Sequence, residues 1–210
     1  MTKLYFKFGA MGSSKTANAL MTRFNYLEKN HSVWLIKPQT DTRDDYTDES
    51  GKIVTVVKSR IGLEAPANVI KDNADITELF KTASADIVIN DTVVKTQKID
   101  VIICDECQFF TEDQIDQLKY IAENENVPVI CFGLRSDFRT KLFPGSKRLF
   151  EIADSITEVK SFCECGKKAI VNARFDGNGN IVTDGAQVEI GGNEKYKSMC
   201  WSCWQKLINK

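Results

Sequence analysis

The chain has 210 residues, enough for one mid-sized α/β domain with a self-sufficient core plus a small appendage. Lys and Arg total 28 against 29 for Asp and Glu, and the net charge of -1 excludes a global attraction to nucleic acid or anionic membranes. No signal-peptide pattern precedes the first strand, and no apolar run reaches the roughly 18 residues of a membrane helix, so a soluble, cytoplasmic protein without a membrane or nucleic-acid partner is expected.

The first predicted strand, Leu4–Phe8, runs into Gly9, Ala10, Met11, Gly12, Ser13, Ser14, Lys15 and Thr16, and a helix follows over Thr16–Asn30. Its apolar residues Ala17, Leu20, Met21, Phe24 and Leu27 have the spacing of one buried face. Strand, loop and helix reproduce the phosphate-binding P-loop G-x-x-x-x-G-K-[ST]. Successive backbone N–H groups wrap phosphates, Lys15 reaches across them, and the Thr16 hydroxyl meets Mg²⁺. One position departs from the pattern: Ser14 stands where glycine is expected before the lysine.

His31 reads as exposed and uninvolved, and a strand follows at Val33–Ile36. The acidic segment Pro38–Gly51 reads as a functional loop. Further strands are predicted at Ile53–Val57 and Asp86–Ile89, with a helix at Ala74–Ala83 between them. The apolar strand Val101–Cys104 ends in Asp105 and Glu106, the Walker B arrangement that sets a carboxylate beside the P-loop's Mg²⁺. A helix at Thr111–Glu123, a strand at Val129–Phe132 and a basic loop at Arg135–Arg148 complete the run. This alternation predicts a RecA-like P-loop α/β fold, a parallel sheet flanked by helices, over residues 1–157.

Residues 158–210 are loop-rich, with short strands predicted at Ala169–Phe175 and Gln187–Ile190. Cys104, Cys107 and Cys131 lie in or beside apolar runs and read as small hydrophobes. Cys163 and Cys165 form one close pair and Cys200 and Cys203 another, the pattern of a four-thiolate zinc site. With every ligand position filled by sulfur, the zinc is expected to be structural.

At the residue level two functions compete. Glu106 can accept a proton from water, as in a helicase-type ATPase, or from a substrate hydroxyl, as in a kinase. Two nucleotide-fold lobes are needed for the motor, and the chain has room for one. The kinase needs an apolar pocket, for which Phe109, Phe110, Phe138 and Phe143 are candidates.

The combination of G-A-M-G-S-S-K-T, K-P-Q-T-D-T-R at 37–43, S-R-I-G at 59–62, D-E-C-Q-F-F at 105–110, G-L-R-S-D-F-R at 133–139, the cysteine pairs and V-E-I-G-G-N-E-K-Y at 188–196 resembles the thymidine kinases of the zinc-containing cytosolic type. The resemblance implies transfer of the γ-phosphate of ATP to the 5′-hydroxyl of thymidine in nucleotide salvage, with deoxyuridine also accepted. Glu106 would be the proton acceptor. Nucleotide contacts would come from Gly9 to Thr16, Asp41, Arg43, Asp105, Glu106, Cys107 and Gln108. Nucleoside contacts would come from Met11, Phe109, Leu134, Phe138, Phe143 and Asn172, with Val188, Glu189, Ile190 and Tyr196 on a lasso loop carried by the zinc domain. A homotetramer inhibited by thymidine triphosphate is implied as well.

Overall fold

In the computed structural model, residues 3–187 and 195–209 are described. In chain order the elements are β1 (Leu4–Gly9), α1 (Lys15–Leu27), β2 (Val33–Pro38), β3 (Tyr46–Thr47), β4 (Ile53–Val54), β5 (Val56–Lys58), β6 (Glu64–Pro66), β7 (Asn68–Ile70), α2 (Ile76–Thr82), β8 (Ala85–Ile89), β9 (Thr92–Thr96) and β10 (Val101–Cys104). A 3₁₀ turn at Cys107–Phe109 leads to α3 (Glu112–Asn124), β11 (Val129–Leu134), α4 (Pro144–Ile152) and β12 (Ser155–Glu158). The C-terminal elements are β13 (Val171–Phe175), β14 (Ile181–Val182), β15 (Tyr196–Met199) and α5 (Trp201–Ile208).

The main sheet runs β12-β1-β11-β10-β2-β8-β9, with β7 also paired to β2. Its centre is parallel, and the β8–β9 hairpin makes one edge antiparallel. Successive residues of β10 serve opposite faces, which is why the strand reads as an unbroken apolar run. Ile102 and Cys104 join a core with Ile76 of α2, Ile115 and Leu118 of α3 and Leu149 of α4. Val101 and Ile103 join the core under Ala19, Leu20 and Leu27 of α1. Thr111 starts α3 with a capping box, accepting from the Gln114 N–H while the Gln114 side chain accepts from the Thr111 N–H.

Four expectations need correction. Ile53–Val57 is not a strand of the main sheet: it breaks at Thr55 into β4 and β5, which form separate ribbons with β3 and β6. The break is held from below by the fully buried Lys37 ammonium, which donates to Val56 O at 2.9 Å and pairs with Asp45 at 2.8 Å. The Asp86–Ile89 strand is antiparallel. Met21 and Phe24 of α1 are 45% and 58% exposed, because the sheet covers only part of the helix's apolar stripe. The Arg135–Arg148 loop ends early, since Pro144 opens α4 at a position where its missing N–H costs nothing.

β13 pairs antiparallel with β14 and β15, and Trp204 of α5 packs on Val171 and Ala173. No helix among the described residues is long and apolar enough to cross a membrane.

Candidate active site

β1 delivers the chain to Gly9, where an added Cβ would lie 2.3 Å from the Val159 carbonyl oxygen and 2.5 Å from Ser13 Oγ, so the turn tolerates no side chain there. Gly12 and Ser14 both have positive φ, +70° and 61°. Ser14 therefore holds a left-handed conformation with a Cβ, and its side chain makes no capping bond to α1. Lys15 is 7% exposed, and its ammonium bends back to donate to Ala10 O at 2.8 Å and Ser13 Oγ at 3.3 Å. Burial lowers its pKa, against the attraction of Glu106 and Asp105.

At the end of β10, Asp105 is buried and its pKa is raised to about 7, by burial first and by neighbouring Glu106 second, with a Thr16 hydrogen bond opposing. Glu106 takes a left-handed backbone, φ 50°, a strained conformation of the kind that clusters at working sites. Arg43 Nη2 donates to one of its oxygens and Gln108 Nε2 to the other, both at 2.5 Å. Arg43 Nε also donates to Asp41 at 2.6 Å, and Gln108 Oε1 accepts the Leu134 N–H at 2.9 Å. Burial alone would raise the Glu106 pKa, but Arg43, Lys15 and Gln108 together hold it below the ordinary value. Arg43 is raised in turn, chiefly by Glu106.

These groups line one cleft of about 530 Å³. Its lining includes the polar or charged Ser13 to Thr16, Asp41, Arg43, Glu106 and Gln108 together with Met11, Gly12, Phe109, Leu134, Phe138, Phe143, Asn172 and Tyr196. Phe109 and Phe143 meet edge to face at 5.5 Å. Phe138 lies beneath the buried Arg174 guanidinium, 3.8 Å from its ring centre, and Arg174 donates to the carbonyls of Asp184 and Ala186. Not every expected residue reaches the cleft: Gly9, Ala10 and Asp105 are not among its lining residues, and the Cys107 side chain is buried in the core. Val188, Glu189 and Ile190 lie outside the described residues. Sequence reasoning assigned no role to Arg174, to Asp137, or to Lys58 and Arg60 flanking the β5–β6 turn, although S-R-I-G stood out as a motif.

The Sγ atoms of Cys163, Cys165, Cys200 and Cys203 lie within 4.8 Å of one another, and Cys165 and Cys200 approach to 3.6 Å. Tetrahedral zinc with bonds near 2.3 Å would set sulfurs roughly 3.8 Å apart, so the donor set fits that ion. Cys163 and Cys165 sit on a turn closed by the Gly166 N–H to Cys163 O bond, with φ 82° at the glycine, and Cys200 and Cys203 span the first turn of α5.

A strand-to-helix loop bearing Lys15, an acidic strand end and aromatic residues on one cleft are the site of a phosphotransferase. The sequence model of the family described as Thymidine kinase matches residues 2–204. Among curated relatives, the thymidine kinase of Enterobacteria phage T4 is 41% identical over 100% of this chain and 99% of its own. Those of Photorhabdus laumondii and Agrobacterium fabrum are each 38% identical, over 100% of this chain and 96% and 99% of theirs. The chain belongs to the thymidine kinase family.

Proposed function

We propose that the protein transfers the γ-phosphate of ATP to the 5′-hydroxyl of thymidine in nucleotide salvage. The observation that carries this reading is that Glu106 shares a single cleft with Lys15, Arg43 and Gly12 to Thr16 and with Phe109, Phe138 and Phe143, in a chain of this family. Phosphoryl transfer needs positioning and charge neutralisation more than covalent help. Lys15 and Arg43 neutralise the phosphates, the rings hold the base, and Glu106 accepts the proton of the attacking hydroxyl. Thr16 and Asp105 offer the hard oxygen donors Mg²⁺ prefers, and that ion, when bound, neutralises phosphate charge. Zinc on the four cysteines is structural. The base-reading role of Val188, Glu189 and Ile190 and the reach of Tyr196 to the sugar rest on the sequence resemblance.

The same reading divides the chain into a kinase domain at 1–157 and a zinc domain at 158–210, working as a cytoplasmic homotetramer inhibited by thymidine triphosphate. A thymine methyl in an apolar pocket is worth about 1–3 kcal/mol, so deoxyuridine is a substrate too, and a preference for thymidine above roughly a thousandfold would contradict the pocket assignment. The test is incubation with ATP, Mg²⁺ and thymidine, and in parallel with ATP, Mg²⁺ and single-stranded DNA. Thymidine monophosphate is the expected product. DNA-stimulated hydrolysis without it would select the motor.

A further inference from the structure

Both backbone groups of Met11, at the crest of the phosphate loop, are bound by the C-terminal sheet. The Met11 N–H donates to Asn172 Oδ1 at 2.7 Å, and the Met11 carbonyl accepts from Ser198 Oγ in a short hydrogen bond. Asn172 and Ser198 are direct cross-strand partners on β13 and β15, so one rung of that sheet holds the two successive peptides that flank the Met11 Cα. Asn172 is 3% exposed and is itself fixed, its Nδ2 donating to Ser136 O at 2.9 Å. One residue earlier, Ala10 packs against Cys163, Ala169 and Cys200, the small core around the cysteine cluster. Ser198 lies two residues before Cys200, which opens α5.

We propose that Asn172 and Ser198 are positioning residues for phosphoryl transfer, a rung of the cysteine-bearing sheet that fixes the phosphate loop through Met11, so that metal on the four cysteines governs affinity for the nucleoside triphosphate. The inference rests on the kinase reading. With its N–H already taken, Met11 does not donate to phosphate, and the cradle begins at Gly12. The carbonyl that Ser198 holds belongs to the peptide leading into Gly12, whose φ is +70°, so fixing that peptide restrains the first residue of the cradle, which as a glycine has wide backbone freedom. The rung supplies that restraint, and the cysteine cluster beneath Ala10 keeps the rung in register with the loop.

Ser198→Ala is the clean variant, because Asn172 also lines the cleft and Ser198 does not. The dissociation constant for ATP, measured calorimetrically without thymidine, should rise roughly five- to tenfold, the worth of one lost hydrogen bond. The constant for thymidine should move less than about twofold, and Ser198→Thr, which keeps the hydroxyl, should restore ATP binding. Amide exchange over residues 9–16 should quicken in nucleotide-free Ser198→Ala. Stripping the metal with a chelator should weaken ATP binding in the parent and weaken it little further in Ser198→Ala, since both act through one linkage. An unchanged ATP constant in Ser198→Ala, equal losses for ATP and thymidine, or additive effects of stripping and substitution would each overturn the proposal. A parent protein that binds no ATP would instead overturn the kinase reading.

Discussion

Replacing Glu106 with Gln tests the chemistry with the least change of shape. The carboxylate accepts from Arg43 through one oxygen and from Gln108 through the other. The amide introduced by Glu106→Gln keeps the acceptor facing Arg43 but turns an NH₂ toward the Gln108 NH₂. Gln108 cannot flip to relieve this without surrendering the Leu134 N–H held by its own Oε1. One hydrogen bond is therefore lost, about 1 kcal/mol of stability, or roughly 2–4 °C of melting temperature for a chain of this size. The loss in rate should be far larger. General-base help contributes about 10²–10⁴-fold, or roughly 2.7–5.4 kcal/mol of barrier. Thymidine monophosphate formation followed under saturating ATP and thymidine should show kcat falling by that factor. ATP binding measured by calorimetry should be equal to or tighter than the parent's, because Lys15 and the loop backbone are untouched and Arg43 no longer faces a competing carboxylate. A kcat within about fivefold of the parent would refute the assignment of Glu106 as proton acceptor. A collapse of ATP affinity would instead make it a structural member of the phosphate site.

Three further outcomes are expected. Ser14→Gly should stabilise the protein by about 0.5–1 kcal/mol, relief of a left-handed residue less the entropy glycine adds to the unfolded chain, and ATP affinity should be equal or tighter; a lower melting temperature would contradict the strain. Arg174→Met removes the guanidinium over Phe138 and its bonds to the carbonyls of Asp184 and Ala186, and should raise the KM for thymidine about tenfold with the KM for ATP little changed, as steady-state kinetics in both substrates would show. Asp154 is held below its ordinary pKa of 3.8, first by Lys119 and then by the Leu4 N–H, so its contribution is present above that value and fades as pH falls through its lower folded pKa. Its side chain is 32% exposed, so Asp154→Asn should cost only about 0.5–1 kcal/mol at neutral pH, and urea titrations of the two proteins should converge as pH falls through the lowered folded pKa of Asp154.

What the sequence made legible were features whose chemistry is fixed by neighbours in the chain. The Gly9–Thr16 loop, the Asp105-Glu106 strand end and the two cysteine pairs each need particular residues at short spacings, and the structure carries each on the expected strand, loop or turn. Features set by distant partners stayed hidden. Nothing local says that Arg174 will lie over Phe138, or that Asn172 and Ser198 will share a rung, because both depend on where β13 and β15 come to rest. Periodicity overreached in two places. The α1 stripe is apolar further round than the sheet can cover, leaving Met21 and Phe24 exposed, and the apolar letters of Ile53–Val57 hid a break next to which a buried lysine from elsewhere in the chain binds the Val56 carbonyl.

The ion pair between Arg43 and Glu106 joins two jobs that the proposed reaction assigns to separate groups. In the structure, Lys15 and Arg43 share the site with the carboxyl groups of Asp41, Asp105 and Glu106, and Glu106 is held a weaker base than its burial alone would make it. A triphosphate brings negative charge that competes for Arg43 and Lys15. As Arg43 turns to phosphate, the strongest influence lowering the Glu106 pKa weakens, while burial, which raises it, remains. Base strength therefore rises when there is a phosphoryl group to receive the hydroxyl. Arg43→Met separates the two effects. It should weaken ATP binding through the lost cation, yet shift the acid limb of the kcat/KM profile, which reports the free enzyme, to higher pH, because Glu106 then titrates without its partner. A limb that stayed in place while ATP affinity fell would show that Arg43 serves the phosphates alone.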